Sequence, residues 1–339
     1  MQREQIVQQW LEQIIEKQAF EIKYLAGDAS FRRYARIYLP DQTYMLMDAP
    51  PEKEDCLPFV QIAAYLEQHG ARVPHIVAQD LSRGLLLLED FGDEVLANVL
   101  NSQTVDAYYL QAFKQIIQLQ AIPVDPLTFP KYSVEKLVQE MRLFDQWLLP
   151  DLNIDVTETH ADLLHRSYQW IIENLEHQPQ VLVHRDYHSR NLMLLKGEED
   201  LGVIDFQDAV VGPDTYDLIS IIRDAYVQWP SLQVQQWIAE FYAMLPEQSH
   251  KNRDLAQFKL DVEIMSIQRH LKILGIFVRL YVRDGKSGYL KDLPRVMWYL
   301  RQELAHCPAL QDFQHFIEIE VMPTFTAKYG EYTELEDVA

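Results

Sequence analysis

The amino-acid sequence predicts an α+β protein in which a small antiparallel sheet comes first and a larger, mainly helical region follows. Two observations lead to this prediction. Within residues 1–90, five short strand-like segments are separated by turn residues. Beyond residue 93, apolar residues recur at helical spacing almost throughout. We therefore predict an N-terminal region over residues 1–90, a larger region over residues 91–330 and an acidic tail over residues 331–339.

The N-terminal region begins with an amphipathic helix, because the apolar residues among the first 18 positions fall on one helical face. Turns rich in Gly, Asp and Pro then separate three strands, which should form an antiparallel meander. A second helix ends near Gly70, and two further strands complete the sheet. The predicted strands cover residues 21–25, 30–39, 43–48, 76–80 and 85–88, and the second helix covers residues 56–69.

Composition excludes several classes of protein. The 339 residues carry a net charge of −21, which repels polyanions, so nucleic acids and anionic membranes are not expected partners. The first residues show no basic and apolar signal pattern, and the apolar stretch 271–282 is too short to span a bilayer. Cys56 and Cys307 are the only cysteines, and they lack metal-ligand spacing. A cytoplasmic protein without a membrane partner is expected.

The segment over residues 181–209 carries the strongest functional signal. An apolar run precedes a polar loop that contains Asp186 and Asn191, and Asp205 ends the next apolar strand, so we expect a hairpin to carry all three to one edge. In ATP-dependent phosphoryl transfer, one Asp orients and deprotonates the acceptor hydroxyl, while an Asn five residues later and a second Asp bind Mg²⁺. The alternative is that Asp186 caps a turn and Asp205 merely ends a strand.

Two features of the N-terminal region suit a nucleotide. The turn from Gly27 to Ser30 can present backbone N–H groups to phosphate oxygens, although on this feature alone an ordinary hairpin turn is the favoured interpretation. Arg32 and Arg33 follow this turn, and strand alternation places Arg32 on the same face as Arg36. A second feature is the polar joint after residue 88, where backbone groups of Glu89 and Phe91 could pair with adenine unless the joint is a plain linker.

Together these motifs resemble the aminoglycoside phosphotransferase family, which has a protein-kinase-like two-lobed fold. The resemblance includes the Gly27 turn, the joint at residues 88–92, the loop HRDYHSRN at residues 184–191 and the sequence IDF at residues 204–206. His188 stands where protein kinases usually have Lys, and it is the family's residue at that position. The resemblance implies that ATP and Mg²⁺ are the cofactors, that Asp186 is the catalytic base, and that Asn191 and Asp205 hold the metal.

Further stretches are most similar to a bacterial branch of this family that phosphorylates amino sugars. They are residues 27–39, 47–60, 184–193, 203–226 and 269–296. This resemblance implies a small-molecule amino-sugar substrate, with transfer of phosphate to the C1 hydroxyl of N-acetylmuramic acid or N-acetylglucosamine during peptidoglycan recycling.

The sequence departs from the family pattern on the third strand, which has no Lys or Arg to hold the phosphates. We expect Arg32 or Arg33 to replace the missing cation from the neighbouring strand. Glu52 or Glu54 could form the supporting ion pair, but a solvated helix start is the favoured interpretation for both.

Several charged and aromatic residues of the helical region are candidates for the acceptor pocket. The candidates are Arg142, Asp208, Arg223 and Arg269, and for each arginine a surface ion pair is the alternative. Glu140 could also bind sugar hydroxyls, and Trp147 could stack on a sugar or belong to the core. Asp217 lies where its carboxylate would stabilise the N–H groups at a helix start.

Two other functions stay open. A related kinase acting on an amine-bearing acceptor, such as an aminoglycoside, choline or homoserine, would suit the negative charge. A nucleotide-binding pseudokinase would suit the missing third-strand cation, although Asp186, Asn191 and Asp205 are all present. The sequence does not indicate an oligomeric state.

Overall fold

The computed structural model describes residues 3–15, 19–25, 32–198 and 200–333. Its chain divides into two compact units. The first unit consists of Met1–Phe129 and Arg190–Ala209, and the second of Pro130–Ser189 and Val210–Ala339. The predicted division after residue 90 was based on the sequence pattern, whereas these two units are defined by packing. The division after residue 90 therefore stays a prediction. Gly27, Ser30 and residues 334–339 of the predicted tail lie outside the described residues.

The first unit is built on a five-stranded antiparallel sheet, as predicted. Its strand order is β1-β2-β3-β5-β4, so the two last strands pair with each other and β5 joins the meander through β3. The strands are β1 (Glu21–Tyr24), β2 (Arg33–Tyr38), β3 (Thr43–Asp48), β4 (Ile76–Asp80) and β5 (Leu85–Glu89). The predicted boundaries differ from these by at most a few residues, because alternation and turn residues act locally.

The two faces of this sheet have different partners. Helix α1 (Arg3–Ile14) packs its buried residues Val7 and Leu11 into a core cluster with Ala35 and Ile37 of β2. Residues of β2 with the other parity, such as Tyr34, line a cavity instead. This division follows from the two-residue repeat of a strand, which turns successive side chains to opposite faces.

The remainder of the first unit positions a short hairpin. Helix α2 (Leu57–Gln68) places Phe59 against Phe206, with ring centroids 4.9 Å apart. Helix α3 (Val105–Gln120) donates a hydrogen bond of 2.6 Å from the Gln115 amide to the Leu201 carbonyl. Leu201 begins strand β8, which pairs with β7 in a two-stranded hairpin. The bounds of these strands are Leu192–Leu194 for β7 and Leu201–Val203 for β8.

One predicted arrangement is wrong. The apolar strand β6 (Gln180–Val183) pairs with β9 (Val210–Pro213), and the β7–β8 hairpin forms separately. Therefore no single hairpin carries Asp186, Asn191 and Asp205. Several short apolar strands in this region are similar in length and composition, so their pairing depends on tertiary contacts that the local pattern does not reveal.

The second unit is mainly helical and packs around one long helix. Helix α10 (Leu255–Asp284) is capped by Asp254, whose carboxylate accepts the Gln257 N–H at 2.8 Å, and ends at Gly285 in the left-handed conformation. The other helices are α4 (Val134–Leu143), α5 (Leu149–Asp151), α6 (Glu158–His177), α7 (Tyr216–Ile222), α8 (Ser231–Met244), α9 (Glu247–His250), α11 (Leu293–Ala305), α12 (Gln311–Phe316) and α13 (Met322–Tyr329). Within the described ranges, none of the helices has the length and apolar character needed to cross a membrane.

Helices α4 and α10 approach closely at Gly275. A Cβ atom at this position would lie 2.2 Å from the carbonyl carbon of Leu143 and 2.4 Å from its oxygen. We therefore expect Gly275→Ala to lower the free energy of unfolding by about 1–3 kcal/mol, despite the better helix propensity of alanine. The measurement is the urea unfolding midpoint followed by circular dichroism. Gly288→Ala is the matched control, since nothing lies within 4 Å of its Cβ, and equal stability of the two variants would contradict the close approach.

Candidate active site

A cavity of about 780 Å³ lies in the first unit, in the size range of small-molecule sites. Its walls come from the sheet face opposite α1, from the joint after β5 and from the β7–β8 hairpin. Several residues predicted from sequence to bind nucleotide, metal or acceptor line it, namely Arg32, Glu89, Phe91, Asn191, Asp205 and Asp208. The structure therefore brings five of the predicted nucleotide and metal residues to one cavity, whereas Arg33 does not line it and Gly27 and Ser30 lie outside the described residues.

The two arginines that could replace the missing third-strand cation lie on opposite faces. The Arg32 side chain lines the cavity, is 12% exposed and donates a hydrogen bond of 2.6 Å to Glu54. Arg33 is 45% exposed, donates to Asp48 at 2.5 Å and lies over the ring of Tyr24. Arg32 is thus the cation placed to meet a phosphate. The solvated interpretation of Glu54 is wrong, because the segment before α2 turns its carboxylate toward Arg32.

Arg36 shares the cavity face with Arg32, as strand alternation predicted, but its partners are in the joint after β5. Its guanidinium lies 2.6 Å from the carboxylate of Asp90 and 2.7 Å from that of Asp93. It also donates to the Gly92 carbonyl at 3.0 Å. Arg36 therefore holds the joint against the sheet.

Arg72 is a functional candidate that the sequence interpretation missed. Its guanidinium donates to both carboxylate oxygens of Glu89, at 2.8 and 2.7 Å, and to Glu198 at 2.7 Å. The same group lies 4.6 Å from the centre of the Phe91 ring. Its backbone carbonyl accepts the N–H of Val203 at 2.8 Å. Arg72 thus connects the joint to the β7–β8 hairpin.

These contacts limit which groups of the joint after β5 could form hydrogen bonds to adenine. The Glu89 carboxylate is bound to Arg72, and the Glu89 N–H donates to the His75 carbonyl at 2.8 Å. Among the residues that the structure describes, the Phe91 N–H has no hydrogen-bond partner. An adenine edge would therefore meet the N–H of Phe91, whereas the N–H of Glu89 is already bonded.

Asn191 and Asp205 meet at the β7–β8 hairpin. Their side chains approach to 3.5 Å between Nδ2 and Oδ2, and Gln207 donates to the other carboxylate oxygen of Asp205 at 2.7 Å. The Asn191 carbonyl accepts the N–H of Ile204 at 3.1 Å, which closes the hairpin base. Asp205 has φ of 64°, an uncommon conformation for a non-glycine residue, and such residues are enriched at functional sites. Two adjacent oxygen-bearing side chains suit Mg²⁺.

The loop that contains Asp186 belongs to the second unit and is held at both ends by buried carboxylates. Asp217 accepts the backbone N–H groups of His184 at 2.7 Å and Arg185 at 3.1 Å. Asp224 accepts the N–H of Ser189 at 3.0 Å and its hydroxyl at 2.5 Å. The prediction that Asp217 stabilises a helix start is wrong, because its carboxylate binds the loop. Arg185 adopts φ of 74°, which turns the loop at this point.

The Asp186 carboxyl has an unusual electrostatic environment. Burial alone would raise its pKa, but the nearby cations Lys272 and Arg269 outweigh burial, so the pKa lies below its ordinary value. Lys272 donates to the Tyr216 hydroxyl at 2.6 Å, and Arg269 donates to the Arg185 carbonyl at 3.3 Å. Asp186 is therefore ionised at neutral pH and able to accept a proton.

The remaining acceptor candidates occupy different environments. Arg142 is 56% exposed and lies 3.7 Å from Asp145. Arg223 is buried and bonded to Glu263 and Glu303, at 2.7 and 3.0 Å. Arg269 is buried beside the Asp186 loop, and Asp208 lines the cavity of the first unit. Acceptor binding by these residues stays a prediction.

Two weaker acceptor candidates have structural partners. Glu140 is buried, accepts from Arg185 at 2.7 Å and is hydrogen-bonded to the Tyr132 hydroxyl. Trp147 packs against the helical core, which was the alternative interpretation of this aromatic residue. Both oxygens of the Glu140 carboxylate are therefore bonded within the protein, and Trp147 is partly buried against the core.

The five-stranded antiparallel sheet, followed by a mainly helical region, is typical of the protein-kinase-like fold. The chain belongs to the phosphotransferase enzyme family, abbreviated APH, whose pattern matches residues 21–254. The structure is similar to that of the aminoglycoside phosphotransferase APH(2'')-Ib with ADP bound, with a TM-score of 0.59 and 17% identity, covering 88% of this chain and 98% of the other. This similarity concerns the fold alone.

Two curated relatives are closer in sequence. An N-acetylmuramate/N-acetylglucosamine kinase of Pseudomonas putida is 38% identical over 295 residues, which cover 86% of this chain and 86% of the relative. An N-acetylmuramate/N-acetylglucosamine kinase of Pseudomonas aeruginosa is 39% identical over 293 residues, with 85% of each chain covered. The predicted similarity to the amino-sugar branch is confirmed.

Proposed function

We propose that the chain is a kinase that transfers the γ-phosphate of ATP to the C1 hydroxyl of N-acetylmuramic acid or N-acetylglucosamine, in peptidoglycan recycling. The choice of acceptor rests on the names of the two Pseudomonas relatives, whose sequences match most of the chain. The choice of reaction rests on the cavity that is lined by Arg32, Asn191 and Asp205. We place this reaction in the cytoplasm, where ATP is available, with a small sugar as the partner and no nucleic acid or membrane.

The nucleotide is assigned to the cavity of the first unit. Arg32, oriented by Glu54, would meet the phosphates, and the Phe91 N–H would donate to the adenine edge. Asn191 and Asp205 would hold Mg²⁺, which neutralises charge on the phosphates. Within the described ranges no group of three His, Cys, Asp or Glu side chains could form a metal site. Phosphate and water oxygens would therefore complete the coordination, as Mg²⁺ commonly requires.

The chemical step needs one proton acceptor. The oxygen of the C1 hydroxyl forms a bond to the γ-phosphorus, the bond to the bridging β,γ-oxygen breaks, and ADP leaves. Asp186 accepts the hydroxyl proton, for which its lowered pKa keeps the carboxylate ready. Asp217 and Asp224 keep the loop in place during this step.

The product identifies the function directly. Phosphorus NMR of a reaction with Mg-ATP should show a sugar 1-phosphate with N-acetylmuramic acid and with N-acetylglucosamine. Choline and an aminoglycoside serve as amine-bearing comparison acceptors. Phosphorylation of those acceptors instead would support the amine-directed alternative, and ATP binding without turnover of any acceptor would support the pseudokinase alternative.

The role of Lys272 can be tested through pH dependence. Lys272 lowers the pKa of Asp186, so Lys272→Met should raise that pKa. The acidic limb of kcat/KM against pH should consequently move to higher pH, because Asp186 is active only when ionised. Lys136→Met removes a lysine of the same unit that is not among the charges found to lower the pKa of Asp186, so it should leave the limb in place. If the acidic limb of the Lys272→Met profile does not move, this lysine does not set the pKa of Asp186.

A further inference from the structure

A second cavity, of about 590 Å³, lies in the second unit between α8, α10 and α11. One of its walls includes Glu263 of α10, whereas Arg269 and Lys272, further along the same helix, flank Asp186. Six residues of α-helix separate Glu263 from Arg269, a rise of roughly 9 Å. The cavity is therefore at a different level of α10 from Asp186, and no step assigned above to Asp186, Asn191 or Asp205 takes place in it.

The apolar part of the cavity wall is aromatic. Trp229, Trp298 and Tyr299 all line it, and Tyr299 is only 3% exposed. The Tyr299 hydroxyl is buried and lacks a hydrogen-bond partner among the described residues. Flat aromatic faces combine apolar area with polar edges, a combination that suits ligands with both C–H faces and hydroxyl groups.

The polar part of the wall centres on Glu263. Its Oε1 accepts from Arg223 at 2.8 Å, and the side chains of Gln235 and His306 approach the same oxygen only to 3.4 and 3.5 Å. Gln302 supplies a second amide on the wall. A carboxylate oxygen with two long contacts, next to two amides, can accept ligand hydroxyl groups.

The charges around this wall are balanced although the protein carries −21 overall. Arg223 binds two carboxylates, those of Glu263 and Glu303, so Arg223 and Lys259 are matched by two negative charges before His306 is counted. The contact of His306 with Glu263, at 3.5 Å, raises the pKa of His306 and so favours its positively charged form. Lys259 has no ion-pair or hydrogen-bond partner within the described ranges. An anionic group on the ligand would therefore find its partner in Lys259.

The cavity is also connected to the loop that carries Asp186. Arg223 and Asp224 are consecutive residues directly after α7. The Arg223 guanidinium binds Glu263 in the cavity wall, while the Asp224 carboxylate binds the N–H and hydroxyl of Ser189. A ligand that competes for Glu263 would therefore act on the backbone that holds one end of the Asp186 loop.

We propose that this cavity is an effector site for a sugar that carries one anionic group, with the ring against Trp298 and the anion at Lys259. Binding there changes the Asp186 loop through Arg223 and Asp224. The binding itself is independent of the proposed kinase function, whereas the effect on catalysis depends on it.

Binding can be measured by tryptophan fluorescence on the full-length chain, since Trp229 and Trp298 line the cavity. The probes are methyl glucoside, methyl glucuronide and methyl glucoside 6-phosphate, which have no C1 hydroxyl to be phosphorylated. A saturable change is expected with the carboxylate or the phosphate probe, at an affinity about tenfold or more above that of the neutral probe. Lys259→Met should remove that difference, and Lys291→Met, which removes an exposed lysine of the same unit, should retain it.

The outcomes decide both parts of the proposal. No saturable change with either anionic probe, or an unchanged affinity in Lys259→Met, would overturn the site. The effective anionic probe should also shift the KM of the sugar acceptor by about fivefold or more in the unmodified chain and not in Lys259→Met. Saturable binding without such a shift would overturn the effector role. If no acceptor were phosphorylated at all, the fluorescence result would still test the site.

Discussion

Replacing Asp186 with asparagine is expected to lower kcat by about 10²- to 10⁴-fold while leaving the KM for ATP nearly unchanged. Asparagine has the size of aspartate but accepts no proton, and the assigned nucleotide cavity is lined by other residues. Steady-state kinetics with N-acetylglucosamine or N-acetylmuramic acid would give kcat, and calorimetric titration with ATP would give the affinity. Together the two measurements would show whether the Asp186 carboxylate acts in the chemical step without contributing to nucleotide binding.

The matched control for this prediction is Asp162→Asn, which makes the same chemical change at an exposed position of α6. It should retain full activity. Circular dichroism should show both variants folded, since Asp217 and Asp224 hold the loop independently of the Asp186 carboxylate. A kcat for Asp186→Asn close to that of the control would show that the proton has another acceptor.

Arg32→Met is expected to raise the KM for ATP by about ten- to a hundredfold, and Arg33→Met by no more than about threefold. Arg32 lines the cavity and is held by Glu54, whereas Arg33 is 45% exposed and binds Asp48. Removing Arg33 leaves Asp48 paired with Arg3 at 2.6 Å, so the sheet should remain folded. The two variants therefore compare the loss of a cation on the cavity face of the sheet with the loss of a cation on the opposite face.

Glu54→Gln tests the role of Arg32 without removing the Arg32 guanidinium. It keeps Arg32 but weakens the ion pair that orients it, so an intermediate rise in the KM for ATP is expected. Thermal unfolding of each variant would separate folding from nucleotide binding. A larger effect at Arg33 than at Arg32 would reverse the assignment of the two faces.

The parts of the molecule that follow from local rules could be predicted from the sequence. The five strands were predicted because turn residues mark the ends of each strand within a few residues. Alternation also predicted that Arg32 and Arg36 share a face, and both line the cavity. It could not show that Arg36 binds Asp90 and Asp93 whereas Arg32 binds Glu54, because those partners lie 22 to 57 residues away.

Long-range partnerships explain what the sequence did not reveal. Arg72 and Glu198 are 126 positions apart, and no local pattern connects them. The left-handed conformations of Arg185 and Asp205 were also unpredictable, because such positions usually favour glycine. Asp217 was assigned to its own helix since helix starts attract carboxylates, yet its partners lie 32 and 33 positions upstream.

Helix α7 gives the site a property that matters for engineering. Every residue of Tyr216–Ile222 is buried, and the two carboxylates that fix the Asp186 loop lie within or just after this helix. The hydrophobic core therefore fixes the position of the Asp186 carboxylate. Variant libraries that are meant to keep this carboxylate in place should leave α7 unchanged.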